Sequence, residues 1–121
     1  MIPDNPPVLF VFVDAAETTA GHCGWSMVVV RPEGTRIVTG NIRDATRDLG
    51  LQTALHEALD ITSSAGGDAS FDIVVAGAYV IPVRSGEAAG REEAGPLGEA
   101  ARFVEVARNL AEGEALRAGS R

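Results

Sequence analysis

Asp14 is the residue of this chain best placed to do chemistry. It follows Val8–Val13, an unbroken apolar run typical of a strand that is covered on both faces. A carboxylate at the tip of such a strand can hold a cation, and Glu17 lies three residues further on. The alternative is structural, since a strand-end Asp can accept a hydrogen bond from the following turn. Asp72 begins a later strand, and we expect it at the opposite end of the sheet from Asp14 if the two strands are parallel.

The two histidines and the single cysteine form no recognisable catalytic group. His22 and Cys23 are adjacent, so on extended backbone their side chains would point to opposite faces. A cysteine nucleophile needs a base nearby in space, and the sequence names no third group to orient one. His56 and Glu57 have no second histidine four residues on, so a zincin-type motif is missing. We expect structural roles for all four, and for Trp25 a role as a core anchor.

The charge balance disfavours nucleic acid as a partner. The chain has 121 residues and a net charge of −7, and its 10 basic residues are all arginine. Non-specific binding to nucleic acid depends on neutralising phosphates with basic side chains. No apolar run approaches the ~20 residues of a membrane span, and one cysteine permits no internal disulfide. These features favour a cytoplasmic domain that does not bind a membrane.

Hydrophobic periodicity predicts an antiparallel meander and then a helix. The strands are expected at Val8–Val13, Gly24–Arg31 and Thr35–Ile42. The helix is expected over Arg43–Ser63, with one apolar face. That face consists of Leu51, Leu55, Ala58, Leu59 and Thr62.

The second half of the chain predicts one more strand and one more helix. Phe71–Val83 is the fourth strand, bent or ended by Ala76-Gly77-Ala78 or Pro82 because it is long. Residues 84–95 are rich in Gly, Glu and Ala without an apolar period, which predicts a flexible loop. Pro96 suits the first turn of the last helix. Its apolar stripe is Ala100, Phe103, Val104, Ala107, Leu110 and Ala111.

Together these elements predict an α/β (or α+β) fold. The helix between the third and fourth strands is a crossover, which permits the fourth strand to lie parallel to the first and beside it. We therefore expect a four-stranded mixed sheet of order 3-2-1-4 with two packed helices. The domain is expected to span residues 8–117, between a flexible arm at 1–7 and a frayed tail at 118–121.

Several short motifs resemble the ribonuclease H-like family. VFVDAA resembles the first strand of that family, where an Asp is followed by small residues. GHCGWSMVVVRPEG is similar to its second strand and turn, ALHEAL to the end of its first helix, and AGAYV to its fourth strand. The resemblance covers about residues 8–80. It implies a metal-dependent nuclease fold in which clustered carboxylates hold two cations for RNA hydrolysis.

The carboxylates that this resemblance implies are mostly replaced. The first falls on Asp14, which matches. The helix carboxylate falls on Leu51 and the fourth-strand carboxylate on Ala76, neither of which can bind a cation. The last falls near Val104 or Glu105. The resemblance therefore implies a truncated fold that has lost its nuclease site.

Three functional hypotheses follow. The first is a non-catalytic ribonuclease H-like domain without a cofactor that binds a protein partner or itself, as a homodimer through the edge of the fourth strand or the last helix. The second is a divergent nuclease that binds Mg²⁺ or Mn²⁺ through Asp14, Glu17, Asp48 and Glu105, with Asp14 catalytic. The third is a small-molecule-binding protein with its pocket between the last helix and the sheet.

Overall fold

The computed structural model of the chain describes residues 8–65 and 69–119. The predicted N-terminal arm, the glycines expected to end the first helix and the last two residues of the predicted tail lie outside these ranges. Within them, one mixed sheet is covered by a helix on each face. This arrangement is an α/β/α sandwich, so the broad fold class predicted from the sequence is confirmed.

The first three strands form the predicted meander. They are β1 (Val8–Glu17), β2 (Cys23–Arg31) and β3 (Gly34–Ile42), and each pairs antiparallel with the next. Residues alternate between the two faces of the sheet, as side chains do along any strand. On β1, Val11 and Val13 belong to one buried cluster and Phe12 belongs to the other.

The helix α1 (Arg47–Ser64) crosses one face and leads to a strand parallel to β1. Its N-cap is Thr46, whose hydroxyl accepts a hydrogen bond from the Leu49 N–H at 3.3 Å. The predicted apolar face lies against the core, but the most deeply buried positions of the helix are small residues. These are Ala58 and Thr62 of the predicted face, and Gly50 and Ala54 beside it.

The predicted four-stranded sheet is wrong in strand number. Residues 70–84 form two strands, β4 (Ser70–Val75) and β5 (Tyr79–Arg84), which pair antiparallel. Ala76 and Gly77 have φ angles of 52° and 69°, so the chain reverses in a tight turn there. Two short strands follow in the predicted flexible loop, β6 (Glu87–Ala88) and β7 (Glu92–Glu93), and both pair with β5.

The predicted order 3-2-1-4 holds within the larger sheet, whose order is β3-β2-β1-β4-β5-β6 with β7 also beside β5. Because β5 covers the outer side of β4, the fourth strand is not an edge. The exposed fourth-strand edge expected from the sequence is therefore wrong, and self-association itself stays a prediction.

The second helix, α2 (Arg102–Ala118), packs on the face of the sheet opposite α1. It follows a 3₁₀ turn at Gly98–Ala101, so Pro96 precedes the helix instead of lying in its first turn. Ala118, which the sequence placed in a frayed tail, is buried in the last turn of α2. Among the residues that the structure describes, no helix is long and apolar enough to cross a membrane.

Candidate functional site

Asp14 lies at the buried C-terminal end of β1, where its carboxylate is held by two arginines. Its Oδ1 accepts hydrogen bonds from the Ala15 N–H at 2.8 Å and from Arg47 Nη2 at 3.2 Å. Arg108 Nε of α2 lies 3.9 Å from Oδ2. The Asp14 side chain is 3% exposed, whereas both arginine side chains are about half exposed. A buried carboxylate needs such partners, because an unpaired buried charge is costly.

Glu17 does not reach toward a shared metal position; it holds the start of α1. Its Oε1 accepts a hydrogen bond from the Arg47 N–H at 2.6 Å. Arg47 in turn donates from Nε to the Ala15 carbonyl at 2.9 Å. Acidic groups are favourable at a helix N-terminus, and here Glu17 and Asp14 also offset the unfavourable positive charge of Arg47 in the first turn.

The other two proposed metal ligands lie apart from this pair. Asp48 is exposed in the first turn of α1, and Glu105 is exposed in the first turn of α2. Across residues 8–65 and 69–119, no three His, Cys, Asp or Glu side chains are grouped so that they could hold a metal ion. Asp72 lies beside Phe10, toward the other end of β1, and pairs with Arg84 at 2.9 Å. Its expected separation from Asp14 is confirmed.

His22 and Cys23 have structural environments. His22 Nδ1 accepts a hydrogen bond from the Asp44 N–H at 3.2 Å, which supports the left-handed backbone of Asp44 (φ 54°) just before α1. Cys23 is fully buried and donates its thiol hydrogen to the Gly24 carbonyl at 3.4 Å. Burial raises the pKa of the Cys23 thiol above its ordinary value, so the thiol stays protonated at neutral pH. A protonated, buried thiol is a poor nucleophile.

Sequence reasoning missed the partners of Asp14. A signal for Arg47 existed, since an arginine in the first turn of a helix opposes the helix dipole unless acids lie beside it. Arg108 carried no such signal, because its approach to Asp14 depends on which face α2 covers. With both arginines in place, the site resembles a charge-balanced structural cluster more than an open metal centre.

A surface cleft lies next to this cluster. It has a volume of about 460 Å³ and lies between the C-terminal half of α2 and residues 16–19, where β1 ends. Its polar lining comes from Glu17, Glu112 and two threonines. Because Glu17 already accepts a hydrogen bond at the start of α1, the cleft offers few polar groups that could hold a ligand. This cleft is the counterpart of the pocket expected between the last helix and the sheet.

The outer edge of β3 is one edge of the described sheet. Among the described strands, β3 pairs only with β2, through nine consecutive residue pairs without a bulge. Ile37, near its centre, is 51% exposed. The outer backbone groups of an edge strand are available to pair with another strand.

Comparison with known proteins gives no family for the chain. No protein-family model matches it, and a search of curated proteins finds no significant match.

Proposed function

We propose that this chain is a non-catalytic ribonuclease H-like domain that self-associates by pairing its β3 edges. The observation that carries the proposal is the free, regular nine-residue edge of β3. Three features support the proposed ribonuclease H-like fold. They are the antiparallel meander, the helical crossover to a parallel β4 and the position of Asp14. The two arginines bound to Asp14 support the loss of catalysis, since they occupy the carboxylate that a metal would need.

The two edges of the sheet differ in how they are protected. At the far edge, β5 is covered by two-residue strands that carry Glu87, Glu92 and Glu93. Short strands and charged side chains are the features that prevent edge-to-edge pairing. β3 is less protected, because it is nine residues long and residues 34–42 contain a single charged residue, Arg36, and no proline. The β3 edge is therefore the better site for strand addition.

A second copy of the chain fits this edge. In a two-fold antiparallel pair centred on Val38, Arg36 lies opposite Gly40 of the other copy, so no like charges face each other. Such an interface is self-complementary, as two-fold symmetry requires. The net charge of −7 on each copy opposes association at long range, but physiological salt screens charges beyond about 8 Å.

Ile37→Lys is expected to abolish this self-association without unfolding the protein. Ile37 is half exposed, and a lysine there places like charges close together across the two-fold axis and disfavours edge pairing. Sedimentation velocity at micromolar concentration should show a wild-type dimer that strengthens with added salt, and a monomeric variant. Val106→Lys is the matched control, because Val106 is an exposed β-branched residue on α2 (37%), and this variant should still dimerise. A monomeric wild type would contradict the proposal.

The non-catalytic part is tested by Asp14→Asn. We expect no Mn²⁺-dependent rise in melting temperature and no cleavage of an RNA–DNA hybrid by either protein. The variant should lose about 1–3 kcal/mol of unfolding free energy, because it removes the charge that both arginines contact. Asp72→Asn, which breaks a more exposed ion pair, is the control for stability and should cost less.

The opposite result would restore the nuclease hypothesis. Metal stabilisation together with cleavage in the wild type, both lost in Asp14→Asn, would mean that Asp14 binds a cation despite its two arginines. Glu17, Asp48 and Glu105 would then be the next substitutions to make.

A further inference from the structure

A groove lies at the C-terminal end of α1, toward the end of the sheet opposite Asp14. We call it the α1-end groove. Its volume is about 430 Å³. Leu9, Val29 and Phe71 of the sheet form its floor, Ile61 of α1 contributes a wall, and Arg31 and Arg36 supply its charge. An apolar groove with a few polar groups and a volume of this order is typical of small-molecule sites.

The two arginines of the groove lack the partners that guanidinium groups normally have. Arg31 Nε is buried without a hydrogen-bond partner within the described residues, and the nearest carboxylate oxygen, on Glu33, is 3.9 Å away. No ion pair or hydrogen bond joins Arg36 to any residue in the described ranges. A buried donor without an acceptor destabilises the folded state, so such a group calls for an explanation.

Arg31 and Arg36 are placed on the groove side by the strand register. Arg36 pairs with Val29, whose side chain belongs to the core cluster beneath α1. Arg31 lies two residues after Val29 on β2, so its side chain is on the same face of the sheet. Both guanidinium groups therefore lie beside the apolar floor. A ligand whose acceptor group reaches the two guanidinium groups would therefore place its remaining atoms on Val29 and Phe71.

A structural role for these arginines is the competing explanation. The last turn of α1 has no basic residue, and cations are favourable near the negative end of a helix dipole. However, neither arginine donates a hydrogen bond to a carbonyl of the described last turn. A favourable interaction with the helix dipole would leave the N–H donors of both arginines without acceptors. It therefore does not explain why Arg31 Nε is buried without a hydrogen-bond partner within the described residues.

We infer that the α1-end groove binds a carboxylate amphiphile of medium chain length. The apolar tail lies on the floor formed by Leu9, Val29 and Phe71, and the carboxylate accepts hydrogen bonds from Arg31 and Arg36. Arginine suits this role because its planar fork matches a carboxylate and stays charged at all relevant pH values. The inference does not depend on pairing of β3.

Decanoate is the probe, measured by calorimetric titration and by melting temperature. The wild type should bind one decanoate per chain and melt at a higher temperature in its presence. Decanol, which has the same tail without the carboxylate, should bind at least ten-fold more weakly. The double variant Arg31→Gln with Arg36→Gln should lose at least ten-fold in decanoate affinity, and Arg43→Gln, which removes one charge at an exposed position, should keep it.

Three results would overturn the inference: no saturable binding of decanoate to the wild type, equal affinity for decanol, or unchanged affinity in the double variant. Because Arg36 lies on β3, the titration is repeated in the Ile37→Lys background. Binding that persists in this variant separates the groove from self-association, and binding that is lost would place the ligand at the β3 edge and reject the groove.

Discussion

Gly24→Ala is expected to destabilise the protein by about 3 kcal/mol, at the upper end of the usual cost of overpacking. A Cβ built on Gly24 would overlap the Ala111 carbonyl oxygen and the Ala115 backbone nitrogen, and would lie only 2.8 Å from the Glu114 carbonyl carbon. All three are backbone atoms of α2. A flexible side chain could move away, but here the whole helix would have to shift.

The close approach of α2 to β2 is built from small residues on both elements. The helix buries alanines at four-residue or three-residue intervals, and Ser26 of β2 donates a hydrogen bond from Oγ to the Ala107 carbonyl at 2.6 Å. Displacing α2 would therefore also break this buried hydrogen bond and separate the helix from Phe12 and Val28 beneath it. The buried alanines are Ala107, Ala111, Ala115 and Ala118.

Urea denaturation gives the measurement, and Gly113→Ala gives the matched control. Gly113 lies in the same helix, but a Cβ there would meet open space. Replacing a helical glycine by alanine should then raise the unfolding free energy by roughly 0.5–1 kcal/mol. If Gly24→Ala unfolded at the same urea concentration as the wild type, α2 could not pack on Gly24 as described.

The meander and the first helix could be predicted because their signals are local. An uninterrupted apolar run defines β1, a shorter one at residues 27–30 marks β2, and Pro32-Glu33-Gly34 marks the turn into β3. The division of residues 71–83 into β4 and β5 was harder to predict. Its turn places Ala76, not glycine or asparagine, at a positive φ, so the composition resembles one long strand.

The position of α2 could not be deduced from its own stripe. The stripe predicts a helix with one buried face, but the connection before it is long enough to reach either side of the sheet. A weak signal lay on β2, where Gly24 and Ser26 alternate with Trp25 and Met27. The small residues face the closely packed helix, and the large ones face α1.

The candidate site shows the same limit. Asp14 stands out in the sequence because it follows an unbroken apolar run, and Glu17 is its nearest acidic neighbour along the chain. Its actual partners, Arg47 and Arg108, come from the start of α1 and from α2. The charge state of a site depends on such tertiary contacts, which residue types and spacing alone do not determine.

Gly50→Ala is the second substitution with a large expected effect, about 1–3 kcal/mol of lost unfolding free energy. Gly50 lies in the second turn of α1, and a Cβ on it would overlap Cys23 Sγ. The same Cβ would lie 3.3 Å from the Cβ of Ala15 and 3.6 Å from the Cβ of Cys23. The sulfur atom is therefore the main obstacle to a larger residue at position 50.

Cys23→Ala should rescue most of the cost of Gly50→Ala, because it removes the sulfur and leaves the 3.6 Å contact with the Cβ of residue 23 and the tighter 3.3 Å contact with the Cβ of Ala15. Cys23→Ala alone should cost about 1 kcal/mol or more, since it leaves a small cavity in a buried cluster. In the double variant the new methyl group partly fills that cavity, so a double-mutant cycle should give a favourable coupling of roughly 1–2 kcal/mol. Cys23→Ala combined with Gly113→Ala, which alters a site on the opposite layer, should be additive. Additivity of Gly50→Ala with Cys23→Ala would instead mean that α1 does not rest on the Cys23 thiol, and that the helix start at Glu17 and Arg47 is placed differently.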